Sequence, residues 1–421
     1  MAMQVVSTGE SIGVVDPIEK ERFADVTFAD RPPWAALGCD ERASRCGAGA
    51  DGPMVRCMNL APTSSNQKPA LLPLPNQPDG LPWPTRFWPQ ADLDPRMHRD
   101  ALARLLDRAF SDPEPDDLER TNAVVIVQHG AIVAERYRSG VDPDRAFISW
   151  SMAKSITNCL IGILVRDGKL DVSRPMPVKE WPPGDPRRRI TIDQMLRMVD
   201  GLRFREAEHL GDGSVRYHAA DKSDVIPMLF GAGKDDVAAF AATLPYQAEP
   251  EARWNYNSGA SNLLARLVRE TLGTDEAGMR AFMQRELFER IGMATADPHF
   301  DAAGNFIGSS TCYCSARDFA RFGYLYLRDG IWDGARILPE GWVDYSRTPS
   351  PQSEGIYGAH FWAVPGSLGL FYCSGAFGQR ILISPKLDLV VVRLGVTAPE
   401  KVAAVVRYCK ELVDVFRPTA G

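Results

Sequence analysis

The chain has 421 residues, 45% hydrophobic and 24% charged, the balance of a soluble globular protein with material for a large core and not that of a disordered, collagen-like or membrane chain. A net charge of −6 argues against nucleic acid as a partner, because phosphate contacts need a surplus of Lys and Arg. The longest apolar runs, such as Val237 to Ala242 and Ala123 to Val127, fall far short of the ~20 residues of a membrane span, and Met1 to Lys20 lacks the basic start and apolar stretch of a secretory signal, so a cytoplasmic protein with no membrane partner is expected.

In chain order, residues 1–80 read as an irregular tail or wrapping segment: 13 of the 32 prolines fall within the first 100 residues and no helical or strand period is sustained there. Met54 and Met58, just ahead of Asn59-Leu60-Ala61-Pro62, leave open whether residues 1–53 belong to the native protein. Residues 81–421 read as one folded unit. A helix is predicted over Met97–Phe110, then a hairpin of Ala123–Gln128 and Ala131–Tyr137 around the His129-Gly130 turn. A helix from Ser151 to Arg166 stops at Asp167-Gly168, and the stretch 190–345 is mostly helical in pattern. Within it, Ala260–Leu272 closes on Gly273, and Ser315 to Asp318 makes a capping-box-like start to a helix ended by Gly330. Strands are expected at His360–Val364, Leu370–Ser374, Arg380–Ser384 and Leu389–Leu394, then a helix over Lys401–Phe416. Strands near both ends with helices between imply an α/β (α+β) fold: an antiparallel sheet built from distant segments, flanked by helices, with a mainly helical subdomain inserted. The division expected is one lobe of residues 81–165 and 350–421 and a helical lobe of about 166–349.

Two strings look functional and lack their context. Gly9-Glu10-Ser11-Ile12-Gly13 fits G-x-S-x-G, but no strand precedes it and Pro17 follows in the irregular tail. Gly47 to Gly52 fits G-x-G-x-x-G, yet Pro53 and Pro62 bracket the helix it needs. The eight cysteines show no Cys-x-x-Cys or Cys/His metal spacing, Cys312 and Cys314 making only Cys-x-Cys, so packed, reduced thiols and no metal are expected.

The informative segment is Ser151-Met152-Ala153-Lys154. Residues three apart share a helix face, so hydroxyl and ammonium meet; Met152, Ile156, Leu160, Ile163 and Leu164 give the apolar side that packs. A lysine at the mouth of a core is desolvated, which lowers its pKa and lets the neutral amine take the serine proton. The helix N-terminus adds N–H groups where an oxyanion forms. Alone, the string equally describes a capping serine followed by a solvated lysine. Two further segments follow in order: Trp254-Asn255-Tyr256-Asn257-Ser258 ahead of a helix, and Cys373-Ser374-Gly375-Ala376-Phe377-Gly378-Gln379 between two strands. Read singly, these are an aromatic helix entry and a tight turn; read chemically, a phenol proton relay and a backbone oxyanion donor.

Taken together, Ser-x-x-Lys, Tyr-x-Ser and the Gly-x-x-Gly-Gln strand resemble the penicillin-recognising serine hydrolases of β-lactamase/transpeptidase-like fold: class C β-lactamases, DD-peptidases, EstB-type esterases and especially the 6-aminohexanoate-dimer (nylon oligomer) hydrolases. Ile190 to Leu196, Gly201-Leu202, Gly308 to Ser310, Ala316 to Gly323 and Pro385 to Val390 resemble that family too. The resemblance implies Ser151 as the acylated nucleophile, Lys154 as its base, Tyr256 as the proton shuttle, and the N–H groups of Ser151 and Ala376 as the oxyanion hole, with no metal or organic cofactor. It implies a small linear amide or ester as substrate; a carboxylesterase with little amidase or β-lactamase activity and a non-catalytic binding protein of the same fold are the alternatives, and a homodimer is left open. Ser258 stands where β-lactamases carry the Asn of Tyr-x-Asn, and Ser374-Gly375-Ala376 where they carry Lys-Thr-Gly, which removes the lysine expected to hold a β-lactam carboxylate. Nylon-oligomer hydrolases place a tyrosine after the Gly-Leu turn; here His209 or Tyr217 takes its place. With Ser258, Gly375 and Glu206, these complete the candidate substrate-binding set; Glu206, Glu208 and Asp212 read first as carboxylates of a solvated loop bordering the cleft, with an ammonium-bearing substrate as the other reading. His129 is assigned to the hairpin turn and His360 to a strand.

Overall fold

The computed structural model describes residues 54–56, 71–94, 97–209, 214–218, 220–366 and 368–417. The Gly9 and Gly47 strings, Cys39, Cys46, Cys57 and most of the expected tail lie outside the described residues.

One antiparallel sheet organises the chain. Its strands are β1 (Arg120–Gln128), β2 (Ala131–Tyr137), β3 (Trp362–Ala363), β4 (Phe371–Gly375), β5 (Gln379–Ser384) and β6 (Leu389–Val396), in the spatial order β3-β4-β5-β6-β1-β2. The junction of distant segments is β6 with β1, where Val391 faces Ile126 and Val392 faces Val125. Successive side chains of a strand point to opposite faces, and here both faces are covered. Ala123, Val125, Val127, Ile381, Ile383, Val390 and Val392 enter one core; Val124, Ile126, Leu382, Leu389 and Val391 enter the other. That is why the central runs 123–127, 381–383 and 389–392 are continuously apolar rather than alternating.

Helices α1 (Arg99–Ala109) and α5 (Val402–Asp414) close one face through Leu102, Leu106, Val405, Tyr408 and Leu412. Helices α2 (Ala153–Arg166), α3 (Ser258–Leu272) and α4 (Ala316–Leu327) belong to the other core, with Ile156, Leu160, Leu263, Phe319 and Phe322. Gly323 lets α4 lie directly on the sheet, since a Cβ there would come within 2.7 Å of Ile381 and 2.9 Å of Val390. The mixed architecture with its antiparallel sheet is the one expected.

The element limits differ from expectation where local conformation overrides pattern. Helix α3 starts at Ser258 because the Asn257 side chain accepts from Ala260 N–H, and it ends on left-handed Gly273. Ser315 caps α4 by accepting from Asp318 N–H, but the Asp318 carboxylate turns to Thr295 and Arg321, so only half of the capping box forms. The strand expected over His360–Val364 is only Trp362–Ala363, because His360 has φ +58° and no strand continues through that conformation. The middle of the chain also holds strand pairs that the pattern missed: Ala207–His209 with Ser214–Tyr217, and Cys312–Cys314 with both Phe147–Ile148 and Asp297–Pro298. Segments of two to four residues are too short to show a period.

Residues 71–93 are irregular and lie along α4. Arg321 donates to Pro84 O at 2.7 Å, Tyr324 OH to Gln77 at 2.6 Å and Trp88 Nε1 to Arg317 O at 3.3 Å. The Trp83 and Trp88 rings stand edge-on to Tyr324. Among the described residues no helix is long and apolar enough to cross a membrane.

Candidate active site

Ser151 sits in a one-turn 3-10 helix, Trp150–Met152, that leads into α2. The turn is anchored below by buried Ser149, whose hydroxyl donates to Ser310 O at 3.2 Å and accepts from Cys312 N–H at 3.1 Å. Trp150 is held at φ +45° and its ring packs 5.4 Å from that of Phe377, itself at φ +57°. Two bulky residues in the left-handed region at one place mark a backbone fixed by its surroundings rather than by its own preference.

Lys154, 1% exposed, lies one turn along, on the face the three-residue spacing predicts. Its Nζ donates to Ser151 Oγ at 3.1 Å, Ser258 Oγ at 2.8 Å and Ser309 O at 2.9 Å, so all three ammonium protons are placed. The Tyr256 ring centroid is 4.8 Å from Nζ. Burial pushes the Lys154 pKa from 10.5 down to about 8, against an opposing pull from the Glu206 carboxylate. At that value about one lysine in ten is neutral at pH 7.

Glu206 grips Ser258 with both oxygens, accepting from its N–H and its hydroxyl at 2.9 Å each. It is therefore the counter-charge one hydroxyl away from Lys154, a placement the sequence did not suggest. Ser258 is 2% exposed and turned to Lys154 and Glu206. Behind it, Asn257 donates to both oxygens of fully buried Asp200, which also accepts from Leu202 N–H. Burial raises the Asp200 pKa to about 7. The Ser309 carbonyl was likewise invisible in the sequence, since backbone groups carry no residue signature. It is positioned by Asn262, which accepts from Ser309 N–H at 3.0 Å, and by Thr157, which donates to Gly308 O at 3.0 Å.

The third segment closes the site from the sheet. Gly375 ends β4 and Ala376 begins a 3-10 turn, Ala376–Gly378. A Cβ on Gly375 would come 2.3 Å from Ser149 O and 3.2 Å from Trp150 Cβ, so the turn lies directly against the one carrying Ser151. His209 and Tyr217 end two paired strands, Ala207 facing Tyr217 in one ladder and bridging Tyr256 in the other. Ala207 thus lies between Tyr217 and the tyrosine, and the side chains of His209 and Tyr217 lie outside the described residues. His360 is buried with Nε2 3.1 Å from Ser261 Oγ, and burial with Lys154 nearby holds its pKa down to about 3. His129 is in the hairpin turn beside Asp388, remote from Ser151 in the fold. Cys159, Cys312, Cys314, Cys373 and Cys409 are buried free thiols.

A protein named 6-aminohexanoate-dimer hydrolase from Paenarthrobacter ureafaciens is 26% identical over 328 residues, covering 73% of this chain and 79% of its own length. A solved structure provisionally named a 6-aminohexanoate-dimer hydrolase, from Bacillus anthracis, superposes with TM-score 0.63 at 22% identity, over 82% of this chain and 90% of that one. The octameric penicillin-binding protein homologue of Pyrococcus abyssi gives TM-score 0.56 at 18% identity, over 76% and 78%. These two structures share the fold. The model of the family described as Beta-lactamase matches residues 116–408, the sheet and the three site segments included, and the chain belongs to that family.

Proposed function

We propose that the protein is a serine hydrolase that forms an acyl-enzyme at Ser151 with a small linear amide or ester and releases it to water. The observation that carries this reading is a fully buried lysine, its pKa lowered to about 8, with Nζ 3.1 Å from the Ser151 hydroxyl. Neutral Lys154 takes the proton as Oγ attacks the carbonyl carbon. The N–H groups of Ser151 and Ala376 receive the developing oxyanion. Tyr256 passes a proton to the leaving amine or alcohol and, in the second half-reaction, takes one from the attacking water, while Lys154 returns its proton to Ser151 Oγ as the acyl group departs. The network needs no cofactor.

The 6-aminohexanoate dimer heads the candidate substrates because a relative of that name matches most of the chain. Ser374 in place of a strand lysine leaves a β-lactam carboxylate without its cation. A fluorophosphonate probe followed by mass spectrometry tests the mechanism: the label belongs on Ser151, and label undiminished in Lys154→Ala contradicts it. Turnover of p-nitrophenyl butyrate, nitrocefin and the 6-aminohexanoate dimer then sorts the substrate class, and nitrocefin as the best of the three refutes the argument from Ser374.

A further inference from the structure

Behind the turn that carries Ala376 lie two buried arginines with no acidic partner within ion-pair distance among the described residues: Arg380, 4% exposed, and Arg393, 0%. The hydrogen bonds they make go to backbone and hydroxyl oxygens, while the Nε of each is buried with no partner among the described residues. Arg380 Nη1 donates to Gly375 O at 3.1 Å and Gln379 O at 2.8 Å. Arg393 Nη1 donates to Phe377 O at 3.2 Å and Gly378 O at 3.1 Å, while its Nη2 reaches Leu118 O at 3.2 Å, Thr121 Oγ1 at 3.1 Å and Thr397 Oγ1 at 2.9 Å. Gln379 Nε2 takes the remaining carbonyl, Ala376 O, at 3.0 Å. The carbonyls of residues 375 to 379 are therefore all held by these three side chains.

A buried guanidinium without a carboxylate is costly, and burial lowers the Arg393 pKa to about 10. Room is also kept for it: a Cβ on Gly378 would come 2.4 Å from Arg393 Nη1, and one on Gly395 would come 2.8 Å from its guanidinium. Such an arrangement is wasteful as packing and sensible as a jig. In a planar trans peptide the C=O and the next N–H point in opposite directions. Fixing Gly375 O against Arg380 thus aims Ala376 N–H away from the arginine, and Arg393 ties the rest of the turn to the ends of β1 and β6.

We propose that Arg380 and Arg393 are positioning residues that set the direction of the Ala376 N–H as oxyanion donor. The inference rests on the acyl-enzyme reading above. Lysine keeps the charge at either position but loses the rigid planar guanidinium that fixes one nitrogen, Nη1, between two carbonyls, and at Arg393 it also loses the second nitrogen that reaches Leu118, Thr121 and Thr397. Arg380→Lys and Arg393→Lys are expected to lower kcat for p-nitrophenyl butyrate by about 10- to 100-fold with KM changed by less than about threefold. The deciding measurement repeats the assay with the matching thionoester, whose C=S sulfur is a poor hydrogen-bond acceptor. The ratio of kcat/KM for ester over thionoester should fall by about tenfold or more in the variants, because only the oxygen substrate uses the donor fully. Loss of general packing would lower both substrates alike and leave the ratio unchanged, which overturns the proposal. If Arg393→Lys fails to fold by circular dichroism, the ratio in Arg380→Lys decides alone. Ser151→Ala is run in parallel: turnover retained there refutes the acyl-enzyme reading itself, whereas turnover lost there with an unchanged ratio in the arginine variants refutes only the clamp.

Discussion

Lys154 has a charge state set by two opposed influences, burial pushing its pKa down and Glu206 pulling it up. If the neutral amine is the base, kcat/KM rises with pH through an apparent pKa near 8. Glu206→Gln removes the pull, so that limb moves to lower pH; a pH profile whose limb stays in place or moves up contradicts the assignment. The sequence pattern favours a solvated loop for this carboxylate, but both of its oxygens are turned inward onto Ser258. Ala376→Pro deletes one N–H and should cost about 10²- to 10³-fold in kcat, checked with the ester substrate. At this scale the meeting of Ser151 and Lys154 was legible because they stand three residues apart on one helix turn, whereas the Tyr256 ring reaches Lys154 only through tertiary packing. Glu206 was named as a candidate, but its grip on Ser258, 52 residues away, was not legible, because nothing in a sequence says which of several loop carboxylates folds inward.

The elements hold the site through a few close approaches. Gly308 passes so near α2 and α3 that a Cβ would meet Thr157 Oγ1 at 2.4 Å and Ala265 Cβ at 2.8 Å. Gly308→Ala should therefore displace the Ser309 carbonyl from Lys154, with about 1–3 kcal/mol of lost stability by urea unfolding and a lower kcat. The start of α3 is braced by Asp200, whose folded pKa of about 7 lies above its ordinary 3.8. A raised carboxyl pKa means the folded state keeps a proton that the unfolded chain gives up. The contribution is complete below pH 3.8 and is lost as pH rises through 7. Asp200→Asn should flatten the fall in urea midpoint between pH 5 and 7.5; an unchanged slope would show that the group is not responsible. Helix caps were readable from the sequence here, since Ser315 and Gly273 act within a turn of themselves. The second half of the Ser315 box was not, because Thr295 and Arg321 compete for Asp318.

Across the whole molecule, the irregular stretch 71–93 acts as a strap on α4 and the sheet beyond it. Trp88 is 7% exposed and packs on Tyr324 and under the Arg321 guanidinium. Trp88→Ala should cost about 3–5 kcal/mol in urea unfolding, and a loss under about 1 kcal/mol would show the strap to be loosely attached. The sequence by itself determined the long elements, the mixed α/β class and the placing of Ser151 and Lys154 on one helix turn, because period, caps and short-range spacing are properties of a few neighbouring residues. Only the tertiary structure decided that β6 pairs with β1, that Ser309 and Glu206 complete the lysine site, and that Arg380, Arg393 and Gln379 hold the turn behind Ala376. Those choices depend on which surfaces exclude water together, and that is fixed by packing across hundreds of residues rather than by any local pattern.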